Sequence, residues 1–198
     1  TLVGGMFFSE YFAGSKAVVL TAAMILWVNF ASDGPPAIAL TEDPKVEGIM
    51  EKEARDPEEP IIDKKILAMI AFTGPVAAFV MLPLFFLNID NFVLAQTMLF
   101  MALAFFELAM FQVIRRDYGL KLKDNKWLIA MLGLSTPSHL AVIYTPLAAL
   151  FGVVPLGLQQ WGYIGASLAV FVVIEVLFRR MLSRRYGDRM NDFSEFSG

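Results

Sequence analysis

Asn29-Phe30-Ala31-Ser32-Asp33-Gly34-Pro35-Pro36 lies inside an otherwise apolar run at 17–40, and no other segment constrains the fold as tightly. A charged side chain at mid-bilayer costs about 2.5–3.5 kcal/mol on insertion scales, so an aspartate there marks a functional site by default. Pro35 and Pro36 carry no backbone N–H and cannot serve the carbonyls one turn earlier, while Gly34 lets the chain leave helical geometry. The spacing predicts a membrane helix interrupted at Asp33–Pro36, with freed carbonyl oxygens near the Asp33 carboxylate. Asn29, Ser32 and Asp33 stand at i, i+3 and i+4 and would share one face of a helical turn. Irregular backbone at membrane depth survives only where protein encloses it or it lines a cavity, and an oxygen-rich cavity suits a hard cation.

The rest of the chain agrees with a membrane setting. Hydrophobic residues make up 57% of the 198 residues and the mean hydropathy is +0.61, more than one soluble core of this length needs. Apolar runs at 17–40, 66–88, 92–114, 127–151 and 156–178 are each long enough to cross about 30 Å of hydrocarbon as a helix. A shorter run at 2–12 reads as the outer end of a preceding helix, and it lacks the basic start of a secretory signal. The expected architecture is all-α: a polytopic bundle of five full spans plus that partial helix, forming one transmembrane domain over 1–198.

Basic residues orient the bundle. Fifteen of the sixteen Lys and Arg fall within 41–65, 115–126 and 179–198, on alternate connections; Lys16 is the exception. The positive-inside rule therefore places those two loops and the C-terminal tail in the cytoplasm. Acidic residues crowd the first loop, from Glu42 and Asp43 to Asp63. They form either a solvated linker or a strip that docks a cytoplasmic domain or concentrates cations. The chain has no cysteine, which excludes disulfides and thiolate metal sites, so a soft metal is not expected. A nucleic-acid partner is not expected either.

Three further ionisable groups lie in the spans. Glu107 stands about two thirds through its run, eight residues before Arg115 and too deep to reach the surface easily. With Asn29, Ser32, Asp33 and freed carbonyls it would supply a hard-oxygen cage. Two carboxylates sharing a dry site repel, so one should hold a proton that cation entry expels, which suggests proton countertransport. Glu175, four residues before Arg179, reads as half of an ion pair at the cytoplasmic edge. His139 reads as a hydrogen-bonding link between helices rather than a ligand. Gly157, Gly162 and Gly165 are expected to permit close helix packing.

Ile25 to Leu40 resembles the sixth transmembrane helix of P-type cation ATPases of the calcium-pump type. The resemblance continues through Arg55-Asp56-Pro57-Glu58-Glu59-Pro60-Ile61 and Gln96-Thr97-Met98, with Glu107 ten residues after the threonine. It extends to Ile143-Tyr144-Thr145-Pro146-Leu147 and to Val154-Pro155-Leu156 with Trp161, covering nearly the whole chain in order. It implies that Asn29, Ser32, Asp33 and Glu107 are metal ligands, Ser32 standing where the family usually has threonine. The implied cargo is Ca²⁺, with Mn²⁺ the next choice because Pro-Pro after Asp-Gly also occurs in secretory-pathway calcium/manganese pumps.

The implied partners are the lipid bilayer, the transported cation, and the remaining N-terminal helices and cytoplasmic domains of the pump. The sequence has no Asp-Lys-Thr-Gly-Thr phosphorylation loop, nucleotide-binding domain or actuator Thr-Gly-Glu. ATP and Mg²⁺ would thus enter only through domains outside it, and no catalytic residue is expected in it. Two other classes fit the residues: a free-standing membrane subunit or regulator of an ATPase, and a secondary cation transporter.

Overall fold

The computed structural model describes residues 19–44 and 64–186. The expected partial helix at 2–12, most of the acidic loop and the end of the tail lie outside the described residues. Among those described there are helices and turns and no strand.

The run at 17–40 becomes three joined helical pieces: α1 (Ala22–Val28), a π-helical turn (Asn29–Asp33) and α2 (Gly34–Leu40). The Thr21 hydroxyl opens α1 by accepting from the Met24 amide at 3.2 Å. The interruption differs from the sequence expectation. The chain does not leave helical geometry at Asp33–Pro36; it widens one turn earlier and resumes as α-helix at Gly34. The physical reason is where the prolines fall. They occupy the first turn of α2, where a missing N–H is tolerated. The Gly34 amide reaches back to the Asn29 carbonyl, the i→i−5 bond of a π turn. Neither Pro35 nor Pro36 can donate to the Ala31 carbonyl, so that oxygen lacks both an α-type and a π-type donor.

Among the described residues four continuous helices are long and apolar enough to cross a membrane: Ile66–Phe86, Phe92–Asp117, Lys126–Tyr144 and Leu158–Arg184. They lie within α3 (Lys64–Phe86), α4 (Phe92–Asp117), α5 (Lys126–Tyr144) and α7 (Leu158–Tyr186). The fifth expected span is the segmented stretch Ala22–Leu40, which is not one continuous helix. Other boundaries also shift. The run at 127–151 ends as a span at Tyr144, because Pro146 two residues later cannot continue the ladder, and a short α6 (Ala148–Phe151) follows. Helix α7 runs eight residues past the expected end at 178, so the arginines after Phe178 continue it.

Asn91 and Asn125 start α4 and α5, their side-chain oxygens accepting from the Leu94 and Leu128 amides at 3.2 and 2.9 Å. Helix α4 is the axis of the bundle. It packs against α3, α7, α5 and the π turn, and α2 lies along α5. Met98, Phe100, Met101, Ala102 and Ala104 of α4 are fully enclosed. Phe106 stacks on Phe171 of α7 at 4.6 Å between ring centroids. At the end of α5 Tyr144 donates to the Leu156 carbonyl at 2.6 Å and accepts from the Trp161 indole at 2.7 Å, closing the turn between α5 and α7. A Cβ at Gly162 or Gly165 would meet no described atom within 4 Å, so the expected close packing there is not made among the described residues.

Candidate cation site

The π turn decides which side chains face together. In a turn wider than an α-helix, residues three apart no longer align while residues four apart stay close to one line. Asn29 and Asp33 accordingly lie together on the chain's surface, whereas Ser32 is fully enclosed. The sequence expectation of one face for all three holds for two of them.

Ser32 points inward to His139 on α5, with 3.1 Å between its Oγ and the ring Nε2. The other ring nitrogen, Nδ1, lies 2.7 Å from the Ser135 carbonyl. A carbonyl only accepts, so Nδ1 carries the proton of the neutral ring, Nε2 is an acceptor, and the Ser32 hydroxyl donates to it. His139 thus makes the interhelical link expected of it. A serine that donates its proton keeps its oxygen lone pairs.

Glu107 projects from α4, which packs against the π turn. It is half-buried, and its Oε2 has no hydrogen-bond partner, although that atom is cut off from solvent. Leaving such an oxygen unsatisfied costs about 1–3 kcal/mol. Asp33 ends the π turn against which α4 packs, so the two carboxylates belong to neighbouring elements. Asn29 and Asp33 thus lie on the exposed face of the turn, Glu107 lies on the helix packed against that turn, and the Ser32 hydroxyl turns toward α5. No group of three or more His, Cys, Asp or Glu that could hold a metal ion is gathered among the described residues.

The expected ion pair of Glu175 and Arg179 is present at 3.3 Å. It belongs to a larger cluster: Arg179 also pairs with Asp117 at the end of α4, and the Thr73 hydroxyl of α3 donates to Glu175 Oε2 at 3.1 Å. This cluster joins α3, α4 and α7 away from the π turn.

Sequence reasoning missed a second cluster. Asp43, three residues beyond α2, receives a two-pronged guanidinium from Arg115 at the end of α4, Nε to Oδ2 and Nη2 to Oδ1 both at 2.9 Å. The Asn125 amide donates at 2.7 Å both to Asp43 Oδ1 and to the Ala39 carbonyl. Arg115 Nη1 also donates to Gln112 Oε1 at 2.9 Å and to the Lys121 carbonyl at 3.1 Å. Burial pushes the Asp43 carboxyl up, but bonds from Arg115 and Asn125 and the charge of Arg115 together hold it below its ordinary range. Only Asn125 carried a local signal, a helix-capping residue just before an apolar run. Asp43 and Arg115 looked like members of an acidic crowd and a basic helix end.

Residues 17–181 match a family described as cation transporting ATPase, C-terminus. Calcium-transporting ATPase 1 of Bacillus cereus is 31% identical over 188 residues, covering 81% of this chain and 21% of that protein. Cation-transporting ATPase pma1 of Synechocystis sp. is 25% identical over 176 residues, covering 82% and 19% respectively. Calcium-transporting ATPase type 2C member 1 of Pongo abelii is 26% identical over 176 residues, covering 83% and 19%. The chain spans about a fifth of the length of these relatives. It belongs to the C-terminal membrane-domain family of the cation-transporting ATPases, the family that Ile25 to Leu40 resembled in sequence.

Proposed function

We propose that this chain is the ion-binding transmembrane portion of an ATP-driven P-type pump whose cargo is Ca²⁺, with protons moving the opposite way. Asp33 supplies the principal charge, Asn29 a neutral oxygen beside it, Glu107 the second carboxylate, and Ser32 an oxygen whose proton is directed at His139. The observation that carries this reading is the packing of α4 against the π turn that ends at Asp33, with Glu107 Oε2 on that helix sealed from water and unpartnered. A calcium ion needs six to eight oxygens, and two carboxylates with an amide and a hydroxyl reach only the lower limit even when both carboxylates bind through both oxygens. The remaining oxygens would come from helices of the pump closing over the surface that carries Asn29 and Asp33. Phosphorylation and nucleotide binding would reside in the roughly four fifths of the relatives' length that this chain does not match.

The names of two relatives, both calcium-transporting, support Ca²⁺ as cargo. Proton countertransport is supported by the two carboxylates, since repulsion in a dehydrated site favours one proton until a cation replaces it. The segmented stretch Ala22–Leu40 acts as the fifth span, and the basic residues put the ends of α2, α4 and α7 on the cytoplasmic side. In the full-length polypeptide Asp33→Asn should abolish Ca²⁺-dependent phosphorylation from ATP while membrane insertion persists. An Asp33→Asn protein phosphorylated with an unchanged calcium titration would remove Asp33 from the site and with it this reading.

A further inference from the structure

The Asp43–Arg115–Asn125 cluster joins the same two elements that carry the two carboxylates of the site. Asp33 and Asp43 are ten residues apart on one stretch: α2 runs to Leu40, and Thr41, Glu42 and Asp43 continue it with i→i−3 bonds of 3.1 Å back to Ile38, Ala39 and Leu40. Glu107 and Arg115 are eight residues apart on α4. At helical rise these arms are about 15 and about 12 Å long. Both run from a carboxylate toward the same end of the bundle, where the Arg115 fork grips Asp43. Arms of similar length closed at one end put Asp33 and Glu107 at nearly the same depth. Sliding α2 by one turn along α4 would carry Asp33 past Glu107 by about 5.4 Å and pull Asp43 out of the fork.

Chemistry favours a fixed register here over a loose surface contact. Arg115 and Asn125 are almost fully buried. Four donors of the Arg115 and Asn125 side chains are engaged within the cluster, and Asn125 also caps α5. The same amide holds the Ala39 carbonyl, one of the last-turn oxygens that α2 cannot satisfy itself. The inner half of the segmented span is thereby tied to α4 at Arg115 and to α5 twice, at Asn125 and at His139.

We infer that Asp43 and Arg115, braced by Asn125, are positioning residues that set the separation of Asp33 and Glu107 and so tune cation affinity without touching the ion. This inference rests on the proposed cation site. The test titrates Ca²⁺-dependent phosphorylation of the full-length protein in membranes for Asp43→Asn, Arg115→Lys and, in parallel, Asp33→Asn. Asp43→Asn and Arg115→Lys each should raise the half-saturating Ca²⁺ concentration about 10-fold, the lower end of what loss of a ligand's supporting contact costs. The maximal phosphoenzyme level at saturating Ca²⁺ should remain within about twofold, since every ligand is still present. The double variant should shift no further than the worse single one, because either change opens the same fork.

Arg115→Lys keeps the charge while losing the two-pronged geometry, so it carries the test should Asp43→Asn fail to accumulate. A lowered maximum with an unmoved half-saturation point would mean the cluster only stabilises the fold, and that overturns the inference. If Asp33→Asn abolishes the response while both cluster variants titrate as wild type, the inference fails and the site stands. If Asp33→Asn titrates normally, the site itself fails.

Discussion

Replacing His139 by leucine isolates the one polar bond that ties the π turn to α5. The Ser32 hydroxyl donates to Nε2 at 3.1 Å, and both side chains are fully enclosed. Leucine removes the acceptor and leaves a buried donor with nothing to bond. Such an orphan costs about 1–3 kcal/mol in proteins generally. Interhelical hydrogen bonds in membranes average about 0.6 and reach about 1.7 kcal/mol. With no route to solvent at either end, the expected loss lies toward the top of the membrane range, about 1.5 kcal/mol. The Ser135 carbonyl adds little, because the Ser138 hydroxyl still donates to it at 2.7 Å.

In a Ser32→Ala background the same leucine leaves no orphan, and the two losses should fall short of adding by about 1 kcal/mol. Equilibrium unfolding of the full-length protein in mixed micelles, run as a double-mutant cycle, measures that coupling. Losses that add to within about 0.3 kcal/mol would refute the tether and the tautomer assigned to His139.

Glu107→Gln keeps shape and hydrogen-bonding oxygen but removes the second charge, so Ca²⁺ should bind about 10-fold more weakly or with fewer ions per protein. A calcium titration identical to wild type would return Glu107 to a purely structural role. Asp43 gives a pH prediction with a definite sign. Its carboxyl is held below the ordinary range in the folded protein, so its contribution to stability is complete above the unfolded value and disappears as pH falls through the folded one. Unfolding measured from pH 8 downward should show this contribution flat to about pH 4 and lost below it, and Asp43→Asn should erase the acid step. An Asp43-dependent step between about pH 6 and pH 7 would contradict the ion pair with Arg115.

What the sequence exposed and what it hid divide along the range of the interactions. Spans are local quantities: the apolar runs at 66–88 and 92–114 place α3 and α4 to within three residues, whereas the run at 127–151 overshoots α5 by seven because apolarity continues past the stop at Pro146. The candidate cation site stood out for the same reason, because an aspartate before two prolines in an apolar run is unusual in itself. Its geometry was less so. Whether prolines open a helix into loop or into a wider turn depends on which earlier carbonyl the next free amide finds, and Gly34 finds Asn29. That choice moved Ser32 off the face it was expected to share. The Arg115–Asp43 fork was hidden altogether, since it joins residues 72 apart and neither stands in a local pattern that demands the other. The Glu175–Arg179 pair was visible because helical spacing makes its partners neighbours; Asp117, 62 residues away from Arg179, was not.

The surface around the π turn carries a contradiction that a larger assembly resolves. Leu26, Phe30 and Ile38 are each about 70% exposed, which lipid would accept. Asn29 and Asp33 lie exposed on the same stretch, and lipid would not accept a carboxylate there. Water alone would satisfy Asp33 but would strand the apolar neighbours. Other membrane helices that bury Leu26, Phe30 and Ile38 while lending oxygens to Asn29 and Asp33 meet both demands. On this reading the exposed face of Ala22–Leu40 is half of an interior. The enclosed Asp43 and His139 contacts fix the span to its own domain and leave Asn29 and Asp33 for the rest of the pump.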